Sequence, residues 1–475
     1  MSSVSLDDSK SDLMENPLAS FPVKRLMLKM GIPMILSMAL QAVYNIVDSA
    51  FVSNMAENGE FALNALTLAF PVQILMVAVG IGTGVGTNVF VSKTLGQGNS
   101  EKAGQVAGNG IFLSFVIYIL FVIFAFSCIN AYVDSQTSNP VISEMAKDYL
   151  FICCAFSFGM IFFSIFEKLL QSTSRSLYST IAQVAGAVIN IILDPIMIYG
   201  LLGFPEMGVK GAAWATVAGQ VVSLLIGMFF HFKKDKEIPC GIKYLKPDIK
   251  IIGVIYSIGF PAIVAQAIMS VMTYGLNLIL VKIGEAYVTA YGLYYKVQQF
   301  VLFCAFGLRD AIMPIVAFNF GKEDRQRVSD GVKYGILYTL VIMVIGLLLL
   351  EAFAFPLSKV FGLSGMTENL CVSAMRIISV SFLFAGSNIA FQGVFQALGD
   401  GLASLVISLL RQFVLVLPVA YFLSKLVIAG SFPSWSVWTT FIFAEGVSLI
   451  AAIVMFRRLG FHMRKVFKIN YFSKK

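Results

Sequence analysis

An all-α polytopic membrane protein, with twelve transmembrane helices in two pseudo-symmetric six-helix bundles about a central cleft, is the fold class that three observations predict. The 475 residues are 58% apolar and only 13% charged, with a mean hydropathy of +0.84, against an apolar share of about 45–50% in soluble domains. Several stretches of 20 or more residues carry at most one charge, the length a helix rising about 1.5 Å per residue needs to cross roughly 30 Å of hydrocarbon. Finally, the second half of the chain repeats features of the first. Only helices or closed barrels satisfy backbone groups in lipid, and these runs are too long and too evenly apolar for barrel strands.

Polar and glycine-proline punctuation divides the chain into helices at 26–53, 62–93, 103–128, 146–170, 177–201, 208–231, 251–281, 287–319, 329–354, 370–397, 402–426 and 435–457. The breaks are segments such as NMAENGE after the first helix, GQGNSEK after the second and DSQTSNP after the third. QSTSRS, GFPEMG, GKEDRQR and AGSFPSW close the fourth, fifth, eighth and eleventh. Pro33, Pro71, Pro261 and Pro314 fall inside runs and predict kinks, because proline removes an amide donor. This gives a tail at 1–24, a bundle at 25–231, a linker at 232–249, a second bundle at 250–457 and a tail at 458–475.

The opening MSSVSLDDSKSDLMENP is polar and mixed in charge, so it reads as a cytosolic tail and not as a cleavable signal. Lysine and arginine gather in the connections holding Lys93 and Lys102, Lys168 and Arg175, Lys233 to Lys250, and Lys322 to Lys333. The positive-inside rule then places those connections and both termini in the cytosol. The net charge of +8 is explained by loops near anionic lipid and needs no nucleic-acid partner. The six cysteines (128, 153, 154, 240, 304 and 371) have no metal-ligand spacing and read as small buried apolar residues. His231 and His462, the only histidines, lie at span ends, which predicts no zinc or catalytic-histidine constellation and no enzyme.

Four pairs of segments recur at a spacing of about 225 residues: MGIP (Met30–Pro33) with IGFP (Ile258–Pro261), LGQGNSEKAGQVAGNG from Leu95 with FGKEDRQRVSDGVKYG from Phe320, QSTSRSL from Gln171 with QALGDGL from Gln396, and Trp214/Thr216 with Trp438/Thr440. Six spans per repeat is an even number, so both repeats enter the membrane in the same sense. Two bundles that rock against each other around a midplane site are what alternating access requires.

An ionisable residue in mid-span costs a few kcal/mol or more and marks an ion or substrate path. Gln41, Asn45 and Asp48 fall at i, i+4 and i+7 with Tyr44 alongside, one helical stripe. Asn190 and Asp194 form a second i, i+4 pair ahead of Pro195. For Asn190 or Gln41 alone, packing through interhelical hydrogen bonds worth roughly 0.6–2 kcal/mol is as good a reading as function. Two carboxylates in one bundle point to function, because a neutral side chain would pack without the risk of a buried charge. Glu167, Lys168 and Arg175 flank a turn and read as interfacial, and Arg376 and Arg411 as snorkelling near span ends. Lys296, Arg309 and Asp310 lie in the eighth span; the adjacent Arg309 and Asp310 are expected to point apart toward partners on other helices, and the three either line the cleft or neutralise one another.

These motifs resemble the multidrug and toxic compound extrusion (MATE) transporters over about residues 18–460. NIILDPIMIYGLLGFPEMGVKGAAWATVAGQ (Asn190–Gln220) is similar to that family's asparagine, aspartate-proline and GxxGAAxAT pattern, and NIVDSAFVSNM, GQGN and QALGD fit as well. The resemblance implies an antiporter exporting organic, mainly cationic compounds against H⁺ or Na⁺, with no cofactor, working as a monomer in the plasma membrane. It implies a cation site of Asp48, Asn190, Asp194 and Thr216, with Gln41, Tyr44 and Asn45 near the cavity. A second branch of the family uses acids in the seventh and tenth spans, where this chain has Gln266, Asn277, Asn388 and Gln392; these, with Lys296 and Arg309, are the remaining cavity candidates. The alternative is a lipid-linked oligosaccharide flippase of the same superfamily, which would line its cavity with cations for a pyrophosphate.

Overall fold

The computed structural model describes residues 16–55, 59–360 and 365–472, and among them every regular element is a helix. In chain order the main helices are α1 (Val23–Ser53), α2 (Gly59–Gly96), α3 (Ser100–Ser127), α4 (Pro140–Ala155), α5 (Phe158–Ser172), α6 (Ser176–Tyr199), α7 (Val209–Lys234), α8 (Ile249–Leu280), α9 (Glu285–Gly321), α10 (Arg325–Val360), α11 (Gly365–Ser379), α12 (Phe382–Ala397), α13 (Gly401–Leu409), α14 (Val416–Ile428) and α15 (Thr439–Phe472). Among the described residues, nine helices are long and apolar enough to cross a membrane, or eleven if each of two bent pairs is one span. α1, with 31 residues, completes the expected twelve. Pro33, Pro71, Pro261 and Pro314 all lie inside helices, as do Pro195 and Pro356.

Two spans expected to be single helices are broken. The run 146–170 divides into α4 and α5, bent by 45°, and 370–397 divides into α11 and α12, bent by 51°. A serine followed by phenylalanine opens the second helix in both cases, Ser157-Phe158 and Ser381-Phe382. The breaks are 224 residues apart, so the repeat seen in the sequence extends to backbone geometry. Chain starts are set by side-chain caps: Asn99 Oδ1 accepts from Lys102 N at 2.9 Å, and Asp400 Oδ1 from Ala403 N at 3.0 Å, each satisfying an amide that the first turn leaves unpaired.

The surface inverts the rule for soluble proteins. Phe126, Leu348, Leu120 and Phe260 are all well exposed, which is stable only where hydrocarbon replaces water. The chain forms two compact units, 1–267 with 313–331, and 268–312 with 332–475. The first is packed around Ala62, Ala69, Tyr149, Leu150, Ile198 and Ala212, and the second around Leu276, Tyr291, Tyr294, Ala374 and Trp438. Of the cysteines, 153, 154 and 371 are buried as expected, but Cys128 and Cys240 are exposed, because each sits where its helix or loop leaves the core.

Within the first unit, the ends of α2 and α9 cross backbone on backbone. A Cβ on Gly96 would stand 2.0 Å from the Phe318 carbonyl oxygen, and one on Gly321 would stand 2.1 Å from that of Lys93. The contact is reciprocal, since Gly96 and Gly321, like Lys93 and Phe318, are 225 residues apart. Gly96→Val is therefore expected to destabilise the protein by about 1–3 kcal/mol through overpacking. Thermal unfolding of the detergent-purified protein measures this, and an unchanged midpoint would show that the two helices do not meet so closely.

Candidate functional site

The N-terminal polar residues are brought together by how α6 is held against its two neighbours. Against α1, Ser176 Oγ donates to the Met30 carbonyl at 3.2 Å, Thr180 Oγ1 to that of Pro33 at 2.9 Å, and Tyr199 OH to that of Phe51 at 2.6 Å; Ser37 Oγ also donates to Gln183 Oε1. Each pair is 146 to 148 residues apart, so the two helices run parallel in constant register. Asp48 consequently falls level with Asp194 and Pro195. Against α7, small residues allow close antiparallel contact: a Cβ on Gly219 would lie 2.6 Å from the Gly186 oxygen and 3.0 Å from Asn190 Cβ, and one on Gly211 would lie 2.4 Å from the Met197 oxygen. That register sets Thr216 between the levels of Asn190 and Asp194.

All four side chains are buried: Asp48 is 8% exposed, Asn190 2%, Asp194 0% and Thr216 4%. One hydrogen bond joins two of them, from Asn190 Nδ2 to Asp194 Oδ1 at 3.2 Å. Each nevertheless retains a buried oxygen with no hydrogen-bond partner, namely Asp48 Oδ1, Asn190 Oδ1, Asp194 Oδ2 and Thr216 Oγ1. Such groups are rare in folded proteins because each one gives up its hydration without compensation. The two carboxylates also lie within electrostatic range of each other, and Asp48 within range of Cys153 on α4. Gln41 is half-buried on α1, seven residues before Asp48. Tyr44 and Asn45 have side chains outside the described residues. Gly219→Leu is expected to force α7 away from α6 and lose transport while every polar group is retained; efflux in cells measured at matched expression tests this, and normal efflux would show that the close crossing is not needed.

The remaining candidates lie elsewhere. Gln266 is half-buried on α8 in the first unit, and Lys296 on α9 in the second is exposed. Asn277, half-buried on α8, keeps an unpartnered Oδ1. Gln392 Nε2 donates to Ser408 Oγ at 3.1 Å, inside the second unit. Arg309 and Asp310, expected from the sequence to point apart toward partners on other helices, pair with each other. Arg309 folds back so that Nε and Nη2 donate to Asp310 Oδ1 at 3.1 and 2.8 Å, with its guanidinium over Phe306. Local neutralisation wins because the charge is otherwise stranded in an apolar helix.

Two cations expected at an interface are buried. Lys168 is 1% exposed, with Nζ donating to Gln171 Oε1 at 3.0 Å. Arg411 does not snorkel: it is 5% exposed, and a π-helical turn at Leu410–Val414 carries it into the second unit. There Nε and Nη2 donate to Glu445 Oε1 at 3.0 and 2.7 Å, while Asn388 Nδ2 donates to Glu445 Oε2 at 2.8 Å. Sequence reasoning passed over Glu445, although a lone acid in TTFIFAEGVSLIAAIVMF carries the same signal as Asp48. The absence of acids from the seventh and tenth spans thus did not mean a second half without a buried carboxylate. Asn388 of the tenth span is bonded to one from the twelfth. His231 also departs from expectation, lying between Asp235 and Cys240; the side chain of His462 is outside the described residues.

The family model described as MatE matches residues 33–196 and again 261–422, so the two matches reproduce the internal repeat. The multidrug export protein MepA of Staphylococcus saprophyticus is 26% identical over 432 residues, covering 90% of this chain and 92% of its own length. MepA of Staphylococcus aureus strain MRSA252 is 25% identical over 91% of this chain and 93% of its own. Among solved structures, a MATE protein in complex with MaL6 aligns with a TM-score of 0.87 at 25% identity, covering 94% of this chain and 99% of that one. An outward-facing MATE transporter of the MOP superfamily aligns with a TM-score of 0.87 at 24% identity, over 95% and 98%.

Proposed function

Since the chain belongs to the MATE family of multidrug efflux transporters, we propose that it exports organic, mainly cationic compounds by alternating access in exchange for H⁺ or Na⁺. Asp48, Asn190, Asp194 and Thr216 hold the coupling cation. The observation that carries this reading is that four buried side chains at one depth each present an oxygen without a partner. Such a set is all hard oxygen and suits Na⁺, while a proton would neutralise one of two neighbouring carboxylates. Among the described residues no group of three or more His, Cys, Asp or Glu is placed to hold a metal ion, so the set does not resemble a transition-metal centre.

Coupling follows from competition. A cation at the carboxylates removes the negative charge that attracts a cationic cargo, and linkage makes the weakening mutual. The gradient supplies about 1.4 kcal/mol per pH unit and about 2.3 kcal/mol per charge per 100 mV, part of which a cationic cargo returns. The working parts are lobes at 25–231 and 250–457, a cytosolic linker at 232–249 and cytosolic termini at 1–24 and 458–475, in a monomer at the plasma membrane. The name multidrug export protein borne by the staphylococcal relatives supports small organic cargo.

Reconstituted vesicles with proton and sodium gradients imposed separately, loaded with an ethidium-type dye, test the proposal. Dye efflux should follow one gradient and collapse when it is dissipated. Lipid-linked sugar scrambling without dye efflux would instead favour the flippase, a reading weakened by the internal neutralisation of Arg309 by Asp310.

A further inference from the structure

At the end of α7, outside the candidate cation site, three chemistry-bearing side chains line up. His231 Nδ1 is 2.8 Å from Asp235 Oδ2, and His231 Nε2 is 3.5 Å from Cys240 Sγ. The histidine and aspartate are 1% and 2% exposed, whereas Cys240 is an exposed residue. The carboxylate is itself fixed, accepting from Thr173 Oγ1 at 2.6 Å and Arg175 Nη1 at 3.1 Å. In the tautomer with Nδ1–H donating to Asp235, Nε2 faces sulfur as the acceptor, the order of groups that activates a nucleophile. Because the partners occupy opposite ring nitrogens, they cannot chelate one ion.

The segment is also held in place on both sides of the thiol. Pro239 lies against Gly104 of α3, where a Cβ would come within 2.8 Å of the proline oxygen, and Tyr244 OH donates to Glu101 Oε2 at 2.8 Å. Sulfur is therefore presented at a set position beside the imidazole. The surroundings are basic: residues 231–250 contain six lysines and three carboxylates, and two of those carboxylates, Asp235 and Glu237, are paired with Arg175. Such a field concentrates anions.

We propose that Cys240 is a reversible modification site, activated by His231 and Asp235, that takes an anionic low-molecular-weight disulfide. His231 accepts the thiol proton, and the Cys240 thiolate attacks one sulfur of the disulfide. The small S–S bond breaks as a new S–S bond forms to Sγ. The departing thiolate leaves with the proton held on His231, so the protein thiol is oxidised as the small disulfide is reduced by the same two electrons.

Cys128 is the internal reference: it is exposed too, but its sulfur neighbours Ser127 Oγ, not an imidazole. The reduced full-length protein in detergent is treated with glutathione disulfide or with the cationic disulfide cystamine, and adducts at both cysteines are followed by peptide mass spectrometry. Cys240 should react at least about tenfold faster than Cys128, and faster with glutathione disulfide than with cystamine relative to Cys128. His231→Gln should bring Cys240 down to the pace of Cys128 while leaving Cys128 unchanged, and continued protection of the buried Cys153, Cys154 and Cys371 reports that the variant is folded. The unaltered protein gives a second reading that does not depend on the variant. With His231, Asp235, Arg175 and Glu237 around it, the Cys240 rate should rise far less than that of Cys128 between about pH 6 and 8, where ordinary thiols gain thiolate steeply. Equal rates at the two cysteines, an unaffected Cys240 in folded His231→Gln, a preference for cystamine, or parallel pH profiles would each overturn the assignment.

Discussion

Asp48→Asn and Asp194→Asn are each expected to abolish gradient-driven efflux in reconstituted vesicles while the protein stays folded. Asparagine keeps the shape and one oxygen but removes both the charge and the capacity to exchange a proton. The lost interaction with a cation in a buried site amounts to several kcal/mol, and each 1.4 kcal/mol is about tenfold, so transport should fall at least a hundredfold by that estimate. Stability should hold or rise slightly, because a buried unpartnered carboxylate oxygen is itself destabilising. Thr216→Val removes only a neutral oxygen and should weaken coupling by about tenfold or less. Wild-type transport by both asparagine variants would eliminate the cation site.

The second large effect concerns folding. Glu445→Ala leaves the guanidinium of Arg411, 5% exposed and held by two hydrogen bonds to Glu445 Oε1, without a counter-charge. Removing one member of a buried pair costs about 3–5 kcal/mol, whereas replacing both by apolar residues of similar volume is often neutral. Glu445→Ala should therefore lower the unfolding midpoint sharply, and the double variant Arg411→Met with Glu445→Met should recover most of the loss. Thermal unfolding of the three proteins in one detergent decides the matter. If Glu445→Ala melts with the wild type, the pair does not carry the stability assigned to it.

The helices were legible because lipid imposes one requirement, that every backbone group be satisfied within an apolar run, and residues such as Leu113 to Phe126 meet it unmistakably. The breaks after Ala155 and Ser379 were not, since the residues at the two bends, Phe156-Ser157 and Val380-Ser381, include no proline or glycine; only the recurrence of Ser-Phe in both halves hinted at them. Asp48, Asn190, Asp194 and Thr216 were found because a mid-span acid is costly and because helical spacing reports a shared face. Arg411 and Glu445 were missed as a pair because contacts between residues 34 apart depend on how two helices rotate, which a π turn changed. The pairing of Arg309 with Asp310 was left open for a related reason: consecutive Cα–Cβ vectors diverge, but a long guanidinium stem can curl back over that angle. Cys240 and His231 are joined by the path of a loop, for which hydropathy carries no signal.

Gly96 and Gly321 have a mechanical corollary. Their seam is main chain against main chain, so adhesion at the crossing itself rests on dispersion at van der Waals distance, with the Lys93 ammonium over the Phe320 ring beside it. A gap of 0.5–1 Å already forfeits about a quarter to a half of such a well. The crossing thus behaves like a magnetic catch: firm when shut and, at the two glycines themselves, nearly without grip once parted.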